Sequence, residues 1–128
     1  MVIDTSAVAA ILFDEPERRD FTSRIGAAAI CRLSAASYLE ISMVALSRQG
    51  GLTLLDTWIR ENAIDIVPVD AAQVLAGRDA FARFGKGRHP AGLNYGDCFS
   101  YALAAVTGEP LLFKGDDFSR TDIAPAPP

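Results

Sequence analysis

The sequence predicts an α/β domain: a mostly parallel sheet covered by helices on both faces. Short β-branched or aliphatic runs, such as "VI" at 2–3 and "IDIVPV" at 64–69, alternate with stretches of ten or more residues at helical spacing. That alternation joins parallel strands through right-handed crossovers. The 128 residues are half apolar, which at this length buries roughly two thirds of the unfolded surface around one core. No repeat or linker divides them, so a single domain over residues 1–128 is expected.

The elements follow in order. "MVIDTS" opens with a β-branched run that stops at a polar turn, the mark of a first strand. Residues 7–26 read as helix, broken near Asp14-Glu15-Pro16 and stopped at Gly26. "AAAICRLS" (27–34) fits a second buried strand, and Ser34 or Ser37 is placed to cap a helix that runs to the Gly50-Gly51 pair. A further amphipathic helix (52–63), a third strand (64–69) and a helix capped by Asp70 (71–85) come next. The loop "GKGRHPAG" leads to a helix around Asp97 that ends at Gly108, and its apolar stripe is expected to be Phe99, Ala102, Leu103 and Val106. "PLLF" is the fourth strand, "KGDDF" the turn leaving it, and the proline-rich residues 124–128 a loose end.

Sixteen acids against twelve Lys and Arg give a net charge of -4, which disfavours broad binding to nucleic acid. An acidic cluster that holds cations would account for part of that charge and leave an RNA substrate open. Cys31 and Cys98 have neither metal spacing nor a disulfide pattern and read as buried free thiols in a reducing, cytoplasmic setting. The N-terminus has no basic, signal-like region, and no apolar run nears the roughly 18 residues of a membrane span.

Three acids stand alone in apolar sequence. Asp4 is the only charged residue among the first 13, Glu40 the only one between Arg32 and Arg48, and Asp97 the only one between His89 and Glu109. A carboxylate buried alone is costly, so each needs a partner, and the local sequence supplies no base. In open sheets ligands bind beyond the carboxyl ends of the strands. Asp4 and the Asp116-Asp117 pair both fall at such ends, and convergence around a shared divalent cation satisfies all the acids together. Oxygen-only donors favour Mg²⁺ or Mn²⁺ over zinc. Each acid also has a structural reading: Asp4 as an N-cap, Glu40 as the third residue of a capping box with Ser37, Asp97 at a helix start capped by Asn94, and Asp116-Asp117 as a solvated turn. Thr5 and Ser6 are secondary candidates for the metal shell or a phosphate. Arg78, Arg83, Lys86, Arg88 and His89 cluster just before the Asp97 helix, where they can meet phosphates or form a solvated face. "GKGRHPAG" lacks the spacing of a phosphate-cradling Walker loop.

With "VIDTSA", "SYLE", "GLNYGDCFSYALA" and "PLLFKGDDF" in this order, the whole chain resembles a PIN domain of the VapC type, the ribonuclease toxin of prokaryotic type II toxin-antitoxin systems. The resemblance implies a Rossmann-like α/β/α sandwich with a mostly parallel central sheet of four to five strands. It implies a Mg²⁺-dependent endoribonuclease, with Mn²⁺ as a substitute, whose acids are Asp4, Glu40 and Asp97. A fourth acid is usual: Gly115 occupies the earlier place of the closing motif and Asp117 the later, so Asp117 is the first choice and Asp116 the substitute. An RNA substrate (tRNA, rRNA or mRNA), a cognate VapB-type antitoxin, a homodimer and a toxin-antitoxin hetero-oligomer are implied as well. The second helix, which ends at Gly26, and the "SMVAL" helix are the expected contact surface. Two alternatives stay open: a Mg²⁺-dependent phosphatase, disfavoured by Ser6 two residues after Asp4 where a second acid is expected, and a binding module with a degenerate site.

Overall fold

The computed structural model describes all residues 1–128. Its centre is a strand of two residues, β1 (Val2–Ile3), both fully buried. Strand β2 (Arg32–Ser34) pairs with one edge of β1 and β4 (Leu111–Leu112) with the other, while β3 (Asp65–Val67) lies outside β2. All pairings are parallel, in the order β3-β2-β1-β4. The chain thus steps outward from β1 on one side and returns to its other side with β4, and the crevice at such a reversal is where open sheets bind ligands.

Successive strand residues face opposite ways. Ile3 and Leu112 join a core with Val8, Ile11, Phe21, Ile25, Leu33, Ile41 and Leu55, beneath helices α1 (Thr5–Leu12), α2 (Arg18–Ala27), α3 (Ala35–Ala45) and α4 (Gly51–Glu61). Val2 and Leu111 join the opposite core with Leu93, Tyr101, Leu103 and Phe118, beneath α5 (Ala71–Phe84) and α6 (Tyr95–Thr107). Each large aliphatic side chain buried this way contributes roughly 1.5–3 kcal/mol, so two cores clamp a sheet whose strands are too short to hold themselves. The sandwich is the expected one, with four strands.

The caps behave as read: Asp70 accepts from Gln73 N at 2.9 Å, Ser34 accepts from Ala36 N, and Gly108 ends α6 at φ +68°. Several expectations need correction. The tail is held, not loose: Leu111 N donates to Ala124 O at 2.9 Å and Ala126 N to Leu111 O at 2.8 Å, and Ala126 is buried. A free edge of β4 had backbone groups to satisfy, and the tail satisfies them. In α6 the buried run is Ser100 to Ala104, because the helix is wedged between sheet and α5, while Phe99 is half-buried and Val106 exposed. β2 begins only at Arg32, with the Cys31 carbonyl accepting from Asp65 N of β3 at 2.9 Å, Ser37 is buried within α3 and caps nothing, and Cys98 is only partly buried.

Candidate active site

Asp4 ends β1 and begins α1. Its side chain does what an N-cap does, accepting from Ser6 N at 2.9 Å. The same oxygen, Oδ2, accepts from the Ser6 hydroxyl at 2.6 Å, and Oδ1 accepts from the Ser100 hydroxyl on α6, also at 2.6 Å. Ser100 is fully buried and stands 3.3 Å from the Ser37 hydroxyl of α3, while the Lys114 backbone N–H beyond β4 donates to Ser6 Oγ at 3.0 Å. One carboxylate is therefore fixed by groups from α1, α3, α6 and the loop after β4. Hydrogen bonds to a charged group are each worth roughly 1.5–3 kcal/mol, so this web both orders the site and staples the strand ends. Asp4 itself is 5% exposed.

Asp97 sits in the first turn of α6. Asn94 accepts from the Asp97 backbone at 2.9 Å, and Asp97 Oδ2 accepts from Asn94 N at 2.9 Å, a reciprocal capping box. Its pKa is pushed up to about 6, first by burial and then by the negative charge of Asp4, Asp117 and Glu40, against the lowering effect of the Asn94 bond. The four acids named from the sequence are thus electrostatic neighbours. Asp117 is one of the charges acting on Asp97. Glu40, exposed on α3, leans over the first turn of α6: a Cβ added to Gly96 would lie 3.0 Å from the Glu40 carboxyl carbon.

No ion pair in the molecule involves Asp4, Glu40, Asp97, Asp116 or Asp117. The nearest cation in sequence, Lys114, is drawn away to Glu15 at 2.6 Å and Glu17 at 3.1 Å. Uncompensated carboxylate charge with oxygen donors only is the donor chemistry of a hard divalent cation, and in kind these residues fit one. As placed, no three of the side chains form a ready-made cage. Asp4 and Asp97 are tied to their caps, Glu40 rests over Gly96, and the exposed Asp117 is the member left to turn inward.

The secondary residues divide. Ser6 is bound into the web, Asn94 works as a cap, and Thr5 Oγ1 is buried without a hydrogen bond. Lys86 and Arg88 are exposed and free of ion pairs, with Arg88 over the Phe81 ring, and His89 accepts from Ala91 N through Nδ1. Arg83 is committed to Asp79, Asp122 and Tyr101. Ser100 and Gly96 were missed in the sequence, and Ser37 was read there only as a cap. Ser100 left one signal, being the single serine of its helix and one turn after Asp97.

This arrangement, acids at the crevice of a β3-β2-β1-β4 sheet, is that of a known class: residues 1–124 match the PIN domain family, and the chain belongs to it. The chain is 54% identical to ribonuclease VapC30 of Mycobacterium tuberculosis over 97% of its length and 96% of that protein's. It is 53% identical to ribonuclease VapC of Mycolicibacterium smegmatis, over 97% of this chain and 98% of the other. Its place within the PIN domains is therefore among the VapC ribonucleases. The crystal structure of M. tuberculosis VapC20, described as a Sarcin-Ricin loop cleaving toxin, superposes with a TM-score of 0.78 at 15% identity, covering 99% of this chain and 98% of that one, and supports the fold.

Proposed function

We propose that the chain is a divalent-metal-dependent endoribonuclease toxin that hydrolyses RNA phosphodiester bonds at the pocket of Asp4, Glu40, Asp97 and Asp117. The observation that carries the reading is the gathering of these acids with no cationic side chain among them. VapC ribonucleases at 54% and 53% identity over almost the whole chain support the same activity. Asp4, Asp97, Glu40 and Asp117 would hold Mg²⁺ or Mn²⁺, which when bound lowers the pKa of water and offsets charge developing on phosphate oxygens. Asp4 is the fixed member, its orientation set before substrate arrives. Glu40 orients the attacking water, whose oxygen bonds to phosphorus as the bond to the leaving ribose oxygen breaks. Exposed Lys86 and Arg88, with His89 beside them, contact flanking phosphates.

As in other VapC systems, a cognate antitoxin holds the toxin in check. Exposed Leu39, Met43, Val44 and Leu46 make the end of α3 a suitable surface for the antitoxin or a second copy in a homodimer, whereas α2 exposes no large apolar side chain. No helix is long and apolar enough to cross a membrane, and cytoplasmic RNA is the expected target.

The test sets purified protein on RNA and on a small phosphomonoester, with and without Mg²⁺, beside an Asp4→Asn control. RNA cleavage that needs both metal and Asp4 supports the reading. Phosphomonoester turnover alone makes the chain a phosphatase, and neither activity leaves a binding module. Sequencing 5′ ends of RNA fragments after brief induction identifies the RNA cut.

A further inference from the structure

We propose that Gly96 is a positioning residue: the bare face it leaves on the first turn of α6 is the seat of the Glu40 carboxylate. The inference rests on the reading of Glu40 as a member of the acidic site. Gly96 is the second residue of α6, and its φ is not positive, so the backbone there makes no demand that only glycine meets. Alanine is the better helix former at such a place. What glycine supplies is room. A Cβ at this position would stand 3.0 Å from Glu40 Cδ and 3.2 Å from Oε1, with Oε2 well inside van der Waals contact. No other side-chain or backbone atom is among its three nearest neighbours.

That pattern separates two kinds of cost. The atoms in the way are the far end of an exposed, flexible side chain, so the fold absorbs a methyl group by letting Glu40 swing out. The site does not absorb it, because relief of the overlap takes roughly an ångström of retreat by the carboxylate, and a misplacement of that size can lower a rate on the order of a hundredfold. Gly96 directly precedes Asp97, so the same glycine brings two of the four acids together: one follows it in the chain, the other packs on it from α3.

The test compares Gly96→Ala, Glu40→Gln, Glu40→Asp and the double variant Gly96→Ala/Glu40→Asp, read by RNA cleavage and by melting temperature in chelator. The expected result is that Gly96→Ala melts within about 2 °C of the parent yet loses activity about as completely as Glu40→Gln. The shorter Asp, harmful alone, restores at least a tenfold rate to Gly96→Ala, because one methylene fewer clears the new methyl group. Activity unchanged by Gly96→Ala while Glu40→Gln abolishes it overturns the inference and leaves the nuclease reading standing. A melting temperature lowered well beyond this range, with no rescue by Asp, makes Gly96 a folding residue and overturns it too. Full activity in Glu40→Gln sinks both the role of Glu40 and the inference.

Discussion

Replacing Asp97 by Asn should make the metal-free protein more stable while removing its activity. The carboxyl group titrates near 6 in the folded protein against an ordinary value of 3.8, with burial the largest cause and the charges of Asp4, Asp117 and Glu40 adding to it. Each pKa unit corresponds to about 1.36 kcal/mol, which gives about 3 kcal/mol of destabilisation at neutral pH. Asp97 is partly open to solvent, which screens that figure to roughly 1–2 kcal/mol. Because the folded value is raised, the native chain keeps a proton that the unfolded chain has lost between pH 4 and 6. Unfolding free energy therefore falls as pH rises through that window and levels off above it. Asn keeps the capping bond to Asn94, since its amide oxygen replaces Oδ2 as acceptor. The assay is urea unfolding in chelator from pH 4 to 8, parent against Asp97→Asn. The two should agree near pH 4 and diverge to roughly 1–2 kcal/mol by pH 7, a gain of about 3–6 °C in melting temperature for a chain of this length. Carboxylates lowered elsewhere, such as Asp122 beside Tyr101 and Arg83, act equally in both proteins and cancel. A constant difference across the range, or none, would refute the account of Asp97 as a strained charge.

Asp4→Asn should move stability the opposite way, losing about 1–2 kcal/mol, because Asp4 accepts from Ser6 N, Ser6 Oγ and Ser100 Oγ and an amide cannot accept at both ends; chemical denaturation checks the sign. Ser100→Ala removes the donor to Asp4 Oδ1 and strands the buried Ser37 hydroxyl, so it should cost about 1–3 kcal/mol and slow RNA cleavage without touching an acid, an outcome that equal kinetics would contradict. Mn²⁺ at about a hundred times its dissociation constant should stabilise the parent by about 2.7 kcal/mol and Asp97→Asn by clearly less, and equal thermal shifts would count against a shared site. Asp117→Asn should lower activity on the order of 10- to 100-fold while Asp116→Asn leaves it close to parental, and the reverse order would reassign the fourth acid.

Much of this molecule could be read before any coordinates, and the parts that could not share a cause. Strands such as Val2–Ile3 and caps such as Asp70, Asn94 and Gly108 are local, each written in a few adjacent residues. The isolation of Asp4, Glu40 and Asp97 in apolar sequence was equally visible. It was less visible that capping and convergence do not compete. Asp4 caps α1 and Asp97 completes the capping box of α6, and the charge of Asp4 still reaches Asp97. What escaped was decided by contact across the fold. The Ser37-Ser100-Asp4 chain links α3, α6 and β1, and the tail at Ala124 and Ala126 is held by main-chain bonds to Leu111 that carry no residue signature. The buried face of α6 went astray because that helix is covered on two sides and has no single stripe to detect.

The placement of β4 has a consequence for how the protein is born. β1 is made long before its partner Leu111–Leu112, and the Lys114 amide that clamps Ser6 and the Asp117 carboxylate follow after that. A nascent chain can carry three of the four acids and still lack the edge that closes around them. The crevice beside β1 therefore closes only once β4, the last of the four strands to be made, has paired with it.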